Sequence, residues 1–286
     1  MGLSIHTSFA TLTTQNQLNA TNKALDTSMQ RLGTGLRINS AKDDAAGLQM
    51  ATRLQAQSNG QNVGMRNAQD SISMMQTAEG AMDEMTNIVQ RMKDLATQGA
   101  NGTATDADRM AIGAEMKELS AELKNISDNT KFAGEAIISD TGKFGAAAVT
   151  FQIGASGTEK LDVDASANVK AVNANITKAG TDFATADTVA LKASDFNTQI
   201  GEMEKALGSL GTSRSQFGAN INRLDHTINN LANMKENTDL ANGRIMDADF
   251  AQETTNMTKN QTLMQAGMSV LSTSNQMTGM VTKLLG

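Results

Sequence analysis

The sequence predicts a mainly α fold, a long antiparallel helical bundle or coiled coil with a small central β-hairpin region. Three observations carry this expectation. Apolar residues recur at three- and four-residue spacing through both ends of the chain; the 286 residues include 19 Met but no Pro, Cys, Trp or Tyr; and strand-like alternation is confined to the middle. Rows at heptad spacing lie along one side of a helix and demand a helical partner. Without Pro there is no obligatory helix breaker, and flexible Met suits surfaces that meet several helical neighbours.

The first helical pattern covers residues 3–32, with Leu18, Leu25 and Leu32 spaced by seven, and closes at the turn-forming Gly33-Thr34-Gly35. Ser40 with Asp43 reads as a capping box, and Asp43 and Asp44 suit the positive end of the next helix. That helix runs to about Gln98 along Met65, Ala68, Ile72, Met75, Met82, Met85, Val89, Met92 and Ala96, with Gly60–Gly64 as the place for a local irregularity. Gly99–Gly102 ends it. Thr105 and Asp108 form another capping pair, ahead of a third seam of Ile112, Met116, Leu119, Leu123 and Ile126.

Gly, Ala, Thr and Asp dominate from about Thr130 to Asp195. Val149, Phe151 and Ile153 alternate, as do Leu161 and Val163 beyond Gly154–Gly157, which predicts a small hairpin. Residues 165–193 show no sustained period and read as an exposed, tolerant insertion. A fourth long helix from Asp195 follows Ile200, Met203, Leu207, Leu210, Phe217, Ile221, Leu224, Ile228 and Leu231, broken where Arg214 takes a seam place. The last helix, about 250–284, carries two adjacent rows, Phe250, Met257, Met264, Leu271, Thr278, Leu285 and Leu263, Val270, Met277, Leu284. The expected organisation is residues 1–44 with 245–286 as a terminal coiled-coil domain, 45–165 with 195–244 as a helical domain bearing the hairpin, and 166–194 as a short exposed insertion.

Composition excludes several function classes. A net charge of −6 disfavours nucleic acid, which needs a concentrated basic face. No stretch approaches the roughly 18 apolar residues of a membrane span, so no membrane insertion is expected. The first 22 residues lack Lys, Arg and a continuous apolar block, so they do not form a cleavable secretion signal. His6 and His226 are the only imidazoles, and there is no Cys nucleophile, no Gly-x-Ser-x-Gly elbow and no phosphate loop. The pairs Asp162/Asp164 and Asp247/Asp249 belong to no calcium loop. The chain is therefore read as neither an enzyme nor a cofactor or metal carrier. Asn101-Gly-Thr103 and Asn175-Ile-Thr177 meet the minimal glycosylation pattern, one common by chance.

The two ends remain as the informative feature. Ordering each residue costs about 1–2 kcal/mol of backbone entropy, and one two-helix contact is too little apolar surface to offset it over both terminal segments. Neighbouring copies are expected to supply the remaining contacts, and a helical polymer follows if those contacts are head-to-tail and do not close. A cytoplasmic helical signalling rod is the rival; it needs a tight central turn and a membrane or sensor attachment, which the hairpin region and missing span oppose.

These residues also carry a resemblance to bacterial flagellin. Gln30-Arg-Leu-Gly-Thr-Gly-Leu-Arg-Ile-Asn-Ser-Ala-Lys-Asp-Asp-Ala-Ala-Gly-Leu48 is similar to that family's N-terminal signature, continued by Arg66–Ile72, Gln76–Gly80, Gln90–Ala96 and Phe151–Gly154. On the returning arm Asn222–Leu231, Ile245–Glu253 and Gln265–Gly267 match as well. The resemblance implies a secreted subunit that polymerises with itself into the flagellar filament, its two termini forming a coiled coil that lines the lumen. It also implies a flagellar export chaperone, a filament cap and hook-junction proteins as partners; a hook–filament junction or cap-associated subunit is the alternative role. Leu18, Leu25, Leu32, Met264, Leu271 and Leu285 are then expected in the self-assembly interface, with Arg31 and Arg37 fixing subunit register through polar contacts. Arg91, Leu95 and Glu115 match positions associated with a vertebrate innate flagellin receptor, although Met92, Lys93 and Asp94 depart from the common neighbours.

Overall fold

The computed structural model describes residues 9–182 and 192–285. Along them run α1 (Phe9–Thr34), α2 (Ala45–Ala100), α3 (Asp106–Asn129), β1 (Lys131–Phe132), β2 (Glu135–Ala136), α4 (Lys143–Ala146), β3 (Val149–Gln152), β4 (Lys160–Val163), α5 (Ser166–Asp182), α6 (Ala193–Met246) and α7 (Phe250–Leu285). The fold is mainly helical with a small antiparallel β-hairpin region, as the periodicity predicts. The expected start of the first helix at residue 3 lies outside the described residues.

The chain forms two compact units, Met1–Ser58 with Glu236–Gly286, and Asn59–Lys235. The sequence placed the division near 44 and 245. It lies further along α2 and α6 because the first turns of α2 bond the last turns of α6 inside the terminal unit. Ser58 Oγ donates to Asp239 Oδ1 at 2.6 Å and Asn242 Nδ2 to Gln55 Oε1 at 3.1 Å.

The start of α2 also differs from expectation. Asp43 does not cap a helix; its Oδ2 accepts the Asn39 and Ser40 N–H groups and closes a turn, and these bonds hold its carboxyl below the ordinary carboxylate pKa. Asp44 is the residue that serves α2, accepting the Gly47 N–H at 2.8 Å. The second capping pair is as predicted: Thr105 and Asp108 exchange side-chain and backbone bonds at the start of α3.

In the larger unit, Ala68, Ser71, Met75, Ala78, Met82, Met85, Val89, Met92, Ala96 and Gly99 form the buried face of α2, alternating by three and four. The facing positions of α6 are Phe196, Gln199, Met203, Ala206, Leu210, Ser213, Phe217, Asn220 and Leu224. These stretches run antiparallel. Gly99 meets the Phe196 ring, Lys93 Nζ lies 3.0 Å from Glu204 Oε1, and Arg214 Nη1 lies 2.9 Å from Asp83 Oδ1. The seam place expected for Arg214 belongs to fully buried Ser213, and Arg214 stays on the flank with its countercharge, where it avoids the desolvation cost of the methionine core. Beside them Phe144 and Phe217 meet with ring centroids 4.8 Å apart.

The reading of 166–194 as an exposed insertion does not hold for its first half. Residues 166–182 form α5, which packs on α3 and α4 and buries Val169, Val172, Asn173 and Ile176. The apolar stripe is only about two turns long and contains an asparagine, which hid its period. Asn173 earns its core place by bonding: Nδ2 donates to Ile138 O and Asp140 Oδ1, both at 3.0 Å, and Oδ1 accepts from Ser127 Oγ at 2.8 Å. Residues 183–191 lie outside the described part.

Two hairpins complete the unit. The β1–β2 pair was not anticipated; Ala133 and Gly134 both have positive φ, 51° and 88°, as a tight two-residue hairpin requires, but Ala133 replaces the usual Asn or Asp signal. The predicted β3–β4 pair aligns Val149 with Val163 and Phe151 with Leu161. Its tip rests on α2 at the glycines where an irregularity was expected, and α2 is unbroken there. A Cβ on Gly60 would stand 2.5 Å from Ala155 Cβ, one on Gly64 would stand 2.7 Å from Ile153 O, and Asn67 Nδ2 donates to Gln152 O at 3.0 Å.

Gly64→Ala is therefore expected to lower the melting temperature measured by circular dichroism, although Ala favours an isolated helix by about 1 kcal/mol. Gly80→Ala, with nothing within 4 Å of the added carbon, is the matched control and raises it or leaves it unchanged. A Gly64→Ala chain as stable as the Gly80→Ala chain would refute the hairpin seat.

Candidate functional site

Within the terminal unit α1 packs against α7. On α1 the covered positions are Thr11, Thr14, Leu18, Thr21, Leu25, Ser28 and Leu32, again alternating by three and four. On α7 they are Glu253, Met257, Asn260, Met264, Gly267, Leu271 and Ser274. The helices are antiparallel: Thr11 Oγ1 is 3.0 Å from Ser274 Oγ, and a Cβ on Gly267 would stand 3.2 Å from Leu18 Cδ1. The pairing is narrow and half polar. Leu25 is buried, whereas Leu18, Leu32, Met264 and Leu271 remain partly exposed. The side chain of Leu285 lies outside the described residues.

Arg31 Nη1 reaches Glu253 Oε1 at 2.8 Å, so this predicted site residue has its partner in the same chain. Burial alone would raise the Glu253 carboxyl, but hydrogen bonds from Arg31, Ser28 and Asn256 and the Arg31 charge together hold it below its ordinary pKa. Arg37 also bonds internally: its N–H donates to Met246 O at 2.6 Å and its Nη2 to Ile245 O at 2.9 Å. Leu36 forms an antiparallel bridge with Asp247, and Ala248 N donates to Gly35 O at 2.9 Å. Gly35, at φ 73°, permits the turn that brings the α1–α2 connection onto the α6–α7 connection.

The periodicity did not reveal Glu253 or Gly267. A signal was present in the row Glu253, Asn260, Gly267, Ser274, spaced by seven but made of small and polar residues. The apolar row next to it splits: Met257, Met264 and Leu271 are partly covered, while Phe250 is 61 % exposed. Leu263 and Val270 of the other predicted row are about half exposed, as are Met268 and, on α1, Leu12 and Met29; Phe9 is more exposed still. These side chains give the terminal unit an apolar surface that its own helices do not cover.

Arg91, Leu95 and Glu115 divide between surface and core. Arg91 Nη2 and Glu115 Oε1 pair at 2.8 Å, both side chains exposed, whereas Leu95 is buried among the methionines of the larger unit. His226 is exposed, and His6 lies outside the described residues. Among the described residues, no three His, Cys, Asp or Glu side chains cluster to hold a metal, and no helix is long and apolar enough to cross a membrane.

Residues 5–143 match the bacterial flagellin N-terminal helical region, and residues 200–285 match the C-terminal helical region. Polar flagellin C of Vibrio parahaemolyticus is 36 % identical and flagellin A of Vibrio anguillarum 34 % identical, each aligned over the whole of both chains. The first alignment spans 387 positions, so that relative carries residues this chain lacks. A putative flagellar hook-associated protein from Vibrio parahaemolyticus shares the fold with a TM-score of 0.61 at 15 % identity, covering 72 % of this chain and all of its own. The paired terminal helices, the methionine seam and the hairpin seated on α2 are thus those of a structural protein, and the chain belongs to the bacterial flagellin family.

Proposed function

We propose that the chain is the structural subunit of a bacterial flagellar filament, polymerising with other copies of itself for motility. The observation that carries this reading is the uncovered apolar surface of the terminal unit. Exposed apolar rows suit an interaction surface, and covering the exposed half of one such side chain contributes on the order of 1 kcal/mol. Phe9, Leu12, Phe250, Leu263, Met268 and Val270 therefore favour association over the isolated state, and repeated head-to-tail contacts extend it into a filament. Leu18, Leu25, Leu32, Met264 and Leu271 hold the two helices together, and the neighbouring rows meet the next copy.

Within the same reading the subunit is secreted by the flagellar export route. A chain without Cys or Pro has neither disulfides to form nor slow prolyl isomerisation to await, so it refolds readily after passing a narrow channel unfolded. An export chaperone receives it, a filament cap governs its addition, and hook-junction proteins join its base. A vertebrate innate receptor meets the exposed Arg91 and Glu115, with Leu95 supporting the helix from beneath.

Deleting residues 1–32 and 250–286 is expected to abolish polymerisation. Val270→Asp weakens it strongly while leaving the helical circular dichroism of the monomer intact. Electron microscopy and sedimentation read both; normal hollow filaments from either variant would contradict the assignment.

Arg31→Glu sets two carboxylates against each other and is expected to reduce filament mass more than secretion. The lost pairing costs about 1–3 kcal/mol, and the double exchange Arg31→Glu with Glu253→Arg recovers part of it. Filament yield equal to wild type in the single variant would remove the ion pair from the assembly account.

Glu253 also sets a pH dependence. Its folded pKa is lowered, so its contribution is fully present above the ordinary carboxylate pKa and is lost as pH falls through the lowered value. Acid should therefore loosen the α1–α7 pair, and Glu253→Gln should flatten that part of the acid transition followed by hydrogen exchange of α1 amides.

A further inference from the structure

The dipeptide Asn-Gly occurs three times, at Asn59-Gly60, Asn101-Gly102 and Asn242-Gly243. It is the pair most prone to lose ammonia, because glycine has no Cβ to shield its backbone nitrogen from the neighbouring side-chain amide. Two of the three stand inside α2 and α6. There the glycine N–H is tied to the carbonyl four residues back and cannot turn toward the asparagine. Asn242 is held further by the bond from its Nδ2 to Gln55.

Asn101-Gly102 alone lies outside a helix, in the exposed connection between α2 and α3. The bonds of this turn run from Asn101 N to Gln98 O and from Ala104 N to Asn101 O, each 3.2 Å, and the Gly102 N–H takes part in neither. Thr103 N donates to Asn101 Oδ1 at 3.3 Å, which folds the side chain back along the main chain and polarises its Cγ–Oδ1 bond. Nothing lies within 4 Å of where a Gly102 side chain would begin. Arg109 completes the setting: Nη2 donates to Asn101 O at 3.2 Å and Nε to Gly99 O at 3.1 Å. Its positive charge stabilises a negative charge developing at the 101–102 peptide.

We infer that Asn101 is a self-modifying site, deamidating through Gly102 and so recording the age of each chain as a negative charge between α2 and α3. The Gly102 nitrogen gives up its proton and attacks Asn101 Cγ. The new C–N bond closes a five-membered imide, the Cγ–Nδ2 bond breaks, and the amide leaves as ammonia with that proton. Water then opens the ring. Addition at Cγ gives an aspartate at position 101. Addition at the main-chain carbonyl carbon gives an isoaspartate, whose free carboxylate contains the oxygen that Arg109 already contacts, so the folded chain favours this second product. No oxidant, metal or enzyme is consumed.

The test is to incubate the purified full-length chain in mildly alkaline buffer and follow each site by peptide mapping with electron-transfer fragmentation, which separates aspartate from isoaspartate. The expected result is a gain of about one dalton at position 101, mainly as isoaspartate, while Asn59 and Asn242 keep their amides. In denaturant all three convert at comparable rates. Gly102→Val, unstrained because Gly102 lacks a positive φ and its surroundings are open, abolishes conversion at Asn101 without changing helicity. Equal conversion of the three sites in the folded chain, or an intact Asn101 when the denatured chain has converted, would overturn the inference.

Discussion

How closely another backbone can approach α2 governs the larger unit. Gly60, Gly64 and Gly99 each weaken an isolated helix by about 0.5–1 kcal/mol relative to Ala. At these same positions Ala155, Ile153 and Phe196 come within 2.5–2.7 Å of where a Cβ would stand. The hairpin tip is seated by the first two, and the opening turn of α6 by the third. Once Phe196 is placed, the alternation by three and four carries α6 along the methionines of α2 and puts Ser213, fully buried, in the seam. Helical propensity is sacrificed where contact geometry needs it.

The two units obey the same spacing with different chemistry. Met75, Met82, Met85, Met92, Met116 and Met203 are almost wholly covered, and three buried phenylalanines fill the larger gaps between them. The terminal pair instead places Thr11, Thr21, Ser28, Asn260, Gly267 and Ser274 among its leucines. Small and hydroxyl-bearing residues allow a close, specific register but bury little apolar area. The larger unit therefore covers most of its apolar rows, and the terminal unit keeps more of its own to offer.

Much of this was legible in the sequence where long apolar rows coincide with strong stops. The seams of α2, α3 and α6, the Thr105–Asp108 cap and the β3–β4 hairpin all follow from spacing. What escaped depends on partners distant in sequence. Arg31 gives no sign that Glu253 awaits it, and a glycine at 64 looks like a weak point until Ile153 is brought onto it. The stripe of α5 was obscured because Asn173, a polar residue, holds a core position through three hydrogen bonds. Polar and small residues at heptad spacing are members of these seams that a count of apolar residues alone leaves out.

The tie between Gly35–Arg37 and Met246–Ala248 is made largely by backbone atoms, so it depends on the turn at Gly35 more than on the identity of the neighbouring side chains. It joins the two arms across most of the chain, and the entropy of closing so long a loop rises only as the logarithm of its length, about 0.6 kcal/mol per doubling. Residues between the arms can therefore be added or removed at little thermodynamic cost to the closure. The matched N- and C-terminal regions flank an unmatched 144–199, and a relative aligned over 387 positions accommodates extra chain. The connector tie thus uncouples the pairing of the arms from the length of what lies between them, so extra chain can enter beside the hairpin seat and the buried stripe of α5 without loosening the ends.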